Sequence, residues 1–319
     1  MQAARLLALL GGLAFGGLAT GAPAAHGRQA PPPPSIQDPA GAPEVISPFG
    51  RRFYARPDAD GAIARAEAAL ATNPADVDLL LAAARAHDAA LQFSASIPLY
   101  TKAIAVAPAD VRAYRFRGHR YISTRRFAGA VKDLERARVL APASFDVAYH
   151  LGLAYFLSGE FRKAADEYGR CLASREEGAL PEGWRSCAGA ARADEDRVAI
   201  TDWRYRALRR AGRRDMAAGL LAGIHEDLAV KENAAYYQAL LFYRGLRTED
   251  EVLAPKTLED NTFVTTAYGV ANYYAAEKRQ ADACRVLRAI VADEPRWNGF
   301  GFIAAETDLS SRMAAACRR

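Results

Sequence analysis

Phe93, Phe127 and Phe161 stand 34 residues apart, and around the first two the chain repeats itself. Ala103 and Ala137 keep that offset, as do Pro74, Pro108 and Pro142; in the next period Cys171 replaces the Ala and Glu176 the Pro. Such a period is a supersecondary unit copied along the chain, because one unit alone cannot bury its apolar face and needs a neighbour to cover it. The repeat therefore predicts a stack of similar units. It also suspends the usual inference from 319 residues to two domains, since an array grows in one dimension.

The units read as pairs of helices. Apolar spacing predicts helices over 62–71, 77–90, 94–105, 111–123, 127–140, 145–157 and 161–173, with no alternating strand pattern among them. Asp58 or Asp60 and then Asp76 stand where N-caps are needed, and Asn73-Pro74 ends the first helix. Pro98 should force a late start or a kink in the helix that holds it. The pattern resembles the tetratricopeptide repeat: the unit 111–144 offers Tyr114, Gly118, Tyr121, Ala130, Leu134, Ala137 and Pro142. The unit 145–178 offers Leu151, Gly152, Tyr155, Ala164 and Tyr168, and 77–110 a weaker set, Leu80, Ala84, His87, Ser96, Tyr100, Ala103 and Pro108. The resemblance implies an all-α fold, a right-handed superhelix of helix-turn-helix repeats.

After Ala173 the register breaks. Residues 174–196 are polar, with Gly178, Pro181 and Gly183, and read as a connection with a short helix near Ala188. Looser helices are expected over 198–211, 213–224, 233–244, 262–276 and 280–292, and a short capped one at Thr248. The stretch 302–317 is expected to be an end-capping helix. The chain thus divides into a signal peptide (1–24), a tether (25–57), tetratricopeptide repeats (58–178) and divergent helical repeats with a cap (179–319).

Arg5, an apolar run over 6–21 and Ala22-Pro-Ala24 form a secretory signal, with cleavage near Ala24, so the chain is expected to be exported to a periplasmic or extracellular setting. The alternative is a retained membrane anchor, but the run is short and broken by glycines. Pro31 to Pro34 cannot lie inside a helix and favour a stiff, extended tether. The segment Ser47 to Tyr54 is aromatic and basic and reads as an arm packed on the first helices or as a ligand-like segment. In an oxidising compartment Cys171, Cys187, Cys284 and Cys317 can pair, 171 with 187 and 284 with 317 by proximity along the chain; free buried thiols are the alternative. The layout also resembles the exported bacterial NlpI-like tetratricopeptide proteins, through Trp203 to Gly212, Tyr236-Tyr237, Tyr243 to Gly245 and Tyr273-Tyr274. Those are lipoproteins, whereas no acylatable cysteine lies near this cleavage site.

No catalytic motif emerges, and no cofactor is expected. Gly299-Phe-Gly301-Phe-Ile-Ala304 fits a degenerate dinucleotide fingerprint but lacks the preceding strand. His26, His87, His119, His150 and His225 show no paired metal spacing, so no metal is expected either. In tetratricopeptide repeats, set positions of the first helix of each pair face a concave groove. Carried onto this chain, they point to Arg85, Arg112, Arg115, His119, Tyr149, Phe156 and Arg206 as peptide-binding residues. Arginines suit a carboxylate-rich partner, although Asp78, Asp88, Asp146 and Asp202 nearly balance them. The function expected is therefore a non-enzymatic scaffold or adaptor for protein or peptide partners. If the closer resemblance holds, these are envelope enzymes; the alternative is an accessory factor in envelope assembly or secretion. The net charge of +5 comes from dispersed residues and speaks against nucleic acid, while a homo-oligomer is compatible with the array.

Overall fold

A computed structural model describes residues 41–254 and 261–318. The signal segment and the four prolines lie outside the described residues. The first helices are α1 (Ala62–Thr72), α2 (Val77–Ala89), α3 (Phe93–Val106), α4 (Val111–Ser123), α5 (Phe127–Leu140), α6 (Phe145–Leu157) and α7 (Phe161–Ala173). The leading helix of each pair starts on a side-chain cap: Asp76 accepts from the Asp78 and Leu79 N–H groups, Asp110 from Arg112, and Ser144 from Val147. The second helix has no such cap. It begins instead just past a residue in the left-handed region, Leu91, Arg125 or Gly159.

That turn is the geometric signature of the array. The N–H of Gln92 donates to His87 O at 2.9 Å, Arg126 to Tyr121 O at 2.7 Å, and Glu160 to Tyr155 O at 2.8 Å. It is the Schellman closure, which satisfies the last carbonyls of one helix while turning the chain toward the next. Gly212, Gly245 and Lys278 sit in the same conformation, and Arg213, Leu246 and Arg279 make the equivalent bond. The turn thus persists into the second half, where the sequence period is blurred. Between the helices of a pair, small residues allow close contact: a Cβ on Gly152 would lie 2.4 Å from the Tyr168 ring.

The later helices are α8 (Cys187–Arg192), α9 (Asp194–Arg210), α10 (Arg214–Leu220), α11 (Ala234–Tyr243), α12 (Glu249–Leu253), α13 (Thr262–Ala276) and α14 (Gln280–Ala292). After them come α15 (Phe300–Thr307), a wide turn over Asp308–Arg312, and α16 (Ala314–Cys317). Disulfides join Cys171 to Cys187 and Cys284 to Cys317, stapling α7 to α8 and α14 to α16. Among the described residues no helix is long and apolar enough to cross a membrane.

Four details depart from expectation. The helix containing Pro98 starts at Phe93, not late, because Phe93 is fully buried and anchors the first turn. Helix α9 starts at Asp194, inside the expected connection: Asp194, Glu195 and Asp196 fill its first turn, where acids suit the positive helix end. Residues 45–53 of the expected tether hold two short antiparallel strands, β1 (Val45–Ile46) and β2 (Arg52–Phe53), with Val45 and Phe53 buried against the helices, in keeping with the reading of Ser47 to Tyr54 as a packed arm. Finally, the C-terminal stretch is not one capping helix. It breaks at Asp308, and its start turns back onto the inner face of the first repeats.

That return is held by specific contacts. Trp297 stacks on Phe53 at 5.4 Å and meets Phe93 edge-on at 5.7 Å. Arg125 reaches the buried Glu306 carboxylate at 3.0 Å, and Arg312 donates to the Leu157 carbonyl at the end of α6 at 2.6 Å. A single core cluster therefore runs from Val45 to Cys317.

Substitutions at two glycines should have opposite signs. Gly152→Val, which drives into the enclosed Tyr168 ring, should destabilise by about 2 kcal/mol or more. Gly219→Ala has nothing within 4 Å and should stabilise α10 by up to about 1 kcal/mol. Denaturant titration reads both. Reducing Cys284–Cys317, which closes a 33-residue separation, should cost about 3 to 4 kcal/mol and lower the melting temperature.

Candidate partner-binding face

Helices α2, α4 and α6 line the inner face, and the residues expected there fall into three zones. The first is open. Arg85 is exposed, with its guanidinium 5.4 Å from the Phe116 ring, and Arg115 lies 4.9 Å from the same ring. Phe116 in turn stacks on Tyr100 at 5.8 Å and meets the Trp184 edge at 6.4 Å. Arg112 is committed to Asp110 at 2.6 Å and Asp78 at 2.8 Å, and Arg115 to Asp146 at 2.8 Å. Among the described residues Arg85 has no ion-pair partner. Its charge is the uncommitted one of the zone.

Trp184 enters this zone from the polar connection. The Ser144–Ser186 bridge, with Phe145 N–H donating to Arg185 O at 3.0 Å, lays residues 184–186 along the start of α6. Neither Phe116 nor Trp184 is among the expected site residues. A lone tryptophan in a polar loop was the available sign for one; Phe116 falls outside the groove-facing positions of the family pattern and gave none.

The second zone is the floor. The His119 ring lies 4.6 Å from His150 and 5.2 Å from Phe300, the first residue of α15. His150 Nδ1 is 2.7 Å from the Asp146 carbonyl, which accepts its proton. Burial, with the Arg115 charge second, pulls His150 down to about 3. Burial, helped by Arg120, holds His119 well below its ordinary value. Both rings are neutral at pH 7.

The third zone is filled. Tyr149 is buried, with its hydroxyl 2.7 Å from Tyr236 and accepting from Trp203 Nε1 at 3.0 Å. Phe156 is enclosed against Trp203 at 5.3 Å. Arg206 is wholly buried, paired with Asp202 one turn earlier, 4.5 Å from the Trp203 ring, and donating to Thr265 O at 3.1 Å. Burial pushes Asp202 up to about 6 against the pull of Arg206. Tyr149, Phe156 and Arg206 are thus structural, a correction to their reading as groove residues. Each takes an inward-facing repeat position, but here α9, α11, α13 and α15 crowd that side and convert groove into core.

Among the described residues no group of three or more His, Cys, Asp or Glu is placed to hold a metal ion. No family model matches the sequence, and no curated protein matches it. Among solved structures, MamA AMB-1 is similar at 20% identity and TM-score 0.38, covering 51% of this chain and 92% of that one. MamA MSR-1 is similar at 19% and 0.37, covering 51% and 90%. The Naa15/Naa10 complex bound to HypK-THB is similar at 17% and 0.36, covering 76% of this chain but 36% of that one. Likeness at this level concerns the fold alone. The repeated helix pairs and their shared turn are the architecture that the tetratricopeptide resemblance implies.

The floor histidines give a pH dependence. Each has a folded affinity for protons below its unfolded value near 6.5, so its contribution is complete above that pH and is lost as pH falls. Relative to a His119→Asn/His150→Gln variant, the wild type should lose about 1.4 kcal/mol per histidine for each pH unit below 6.5. The variant is the needed reference because Asp202, raised to about 6, titrates with the opposite sign and favours the folded state as pH falls. Denaturant midpoints at pH 7 and pH 5 measure the difference.

Proposed function

We propose that this chain is a non-enzymatic scaffold that holds an acidic, extended segment of a partner protein over the open zone of its inner face. The observation that supports it most directly is Arg85: exposed, without an ion-pair partner among the described residues, and laid over the Phe116 ring. A guanidinium on an aromatic face keeps its N–H fork turned outward, and that fork matches a carboxylate in two-point fashion. Arg115, Phe116 and Trp184 extend the platform, so one carboxylate and one flat or apolar side chain can be held side by side. Arg112, tied to two aspartates, contributes shape more than charge.

The two disulfides support an exported setting, since such bonds persist in oxidising compartments. In that setting the partners would be envelope proteins, the enzymes suggested by the NlpI-like resemblance among them.

Selecting a random peptide library on the full chain tests this reading. Asp- and Glu-rich peptides should be enriched, and Arg85→Glu should weaken their binding at least tenfold while Arg85→Lys weakens it less. Because Arg85 is exposed, stability should stay within about 0.5 kcal/mol. Selection of basic or purely apolar peptides, or equal binding by Arg85→Glu, would remove the proposal.

A further inference from the structure

A second surface, sharing no residue with the open zone, lies where the N-terminal hairpin meets the C-terminal helices. Phe49, Arg51, Arg288, Val291, Leu309 and Arg318 surround an open hollow of about 430 Å³, within the range of small-molecule sites. Its arginines are held in an unusual way. Arg288 donates to the Cys317 carbonyl, Arg318 Nε to Ala314 O at 3.2 Å, and Arg51 to the Val291 carbonyl at 2.5 Å. Carbonyls fix a guanidinium without neutralising it. Arg51 also has Glu294 at 3.3 Å, but among the described residues Arg288, Arg318 and the nearby Arg52 have no acidic partner. Two charges, Arg288 and Arg318, are positioned and uncompensated, and Arg52 adds a third uncompensated one on the adjoining hairpin.

Beside them stand two exposed apolar side chains. Ile46 is 62% exposed and Phe49 46%, both on one hairpin, with Ile46 directly opposite Arg52 across the strands. An acidic peptide would satisfy the arginines but leave these apolar groups wet. A surface that is anionic outside and apolar a few ångströms deeper satisfies both. An anionic lipid surface attracts each arginine, and a phosphate accepts its fork in two-point fashion. Aromatic and aliphatic side chains can then enter the headgroup boundary.

We propose that this face docks on a membrane containing anionic phospholipid, with a headgroup phosphate at Arg288 and Arg318 and with Phe49 and Ile46 entering the interface. The disulfide between Cys284 and Cys317 holds Arg288 and Arg318 in register, since each is within a few residues of one of its cysteines. The open zone is left free for a partner.

The test is hydrogen–deuterium exchange on the full chain, with vesicles of phosphatidylglycerol or of phosphatidylcholine. This readout is local, so the apolar run at 6–21 cannot mimic it. Exchange at 45–53, 284–291 and 309–318 should slow at least tenfold with phosphatidylglycerol and not with phosphatidylcholine. Arg288→Glu/Arg318→Glu should abolish the protection. Phe49→Ser, which keeps every charge, should reduce it severalfold and guards against misfolding of the charge-reversed variant. The proposal is overturned by equal protection with both lipids, by protection unchanged in both variants, or by equal protection with soluble glycerol phosphate and no vesicle.

Discussion

Arg125 serves two purposes through two parts of one residue. Its backbone is the left-handed turn between α4 and α5, and its guanidinium crosses to Glu306 in α15 while also donating to the Trp297 carbonyl at 2.8 Å. Glu306 is almost wholly buried, and burial raises its proton affinity against the pull of Arg125. A carboxylate so enclosed is tolerable only when paired, so the position of α15 and the turn of the second repeat are determined together. Trp297, between Phe53 and Phe93, adds the apolar half of the same closure. The hairpin, the start of α3, α4 to α7 and the C-terminal helices thereby share one core, where an open solenoid would have a string of nearest-neighbour interfaces; α2 packs on α3 in a smaller cluster of its own.

The closure decides what the inner face can do. Inward positions of α6, α9 and α13, which in an open array would meet ligand, meet one another as Tyr149, Phe156, Trp203, Arg206 and Tyr268. Tyr149 is spent on Tyr236 and Arg206 is ion-paired with Asp202, both inside the molecule. Among the described residues of that face, the stretch around Arg85, Arg115, Phe116 and Trp184 retains open surface, bounded below by His119 and Phe300.

Local features of the fold were legible in the sequence. Helices α4 to α7, α13 and α14 begin and end where apolar spacing put them, since a 3.6-residue pattern is a local property. The closure was not legible. Arg125 and Glu306 are 181 residues apart and each looks like an ordinary surface charge. Gly299 to Ala304 suggested only a degenerate dinucleotide fingerprint, whereas a Cβ at Gly301 would lie 2.0 Å from the Val264 carbonyl oxygen. For the candidate site, family positions pointed to Arg85 and Arg115 but could not tell groove from interior. Whether an inward residue meets solvent depends on how tightly later repeats curl, which no single repeat encodes. Trp184 carried a sign in its polar loop but not its destination, which follows from the backbone bridge between Ser186 and Ser144.

The shared turn and the closing pair together place a limit on the lineage of such a molecule. Open arrays lengthen or shorten by whole units, because each added pair finds the same neighbour its predecessor had. Here an extra 34-residue unit between α5 and α13 would carry Glu306 and Trp297 away from Arg125, Phe53 and Phe93, leaving a buried acid with no counter-charge. The number of repeats is therefore no longer a free variable. Closing on itself turned a modular chain into one of fixed length, open to change at its rim and its loops but not in its count.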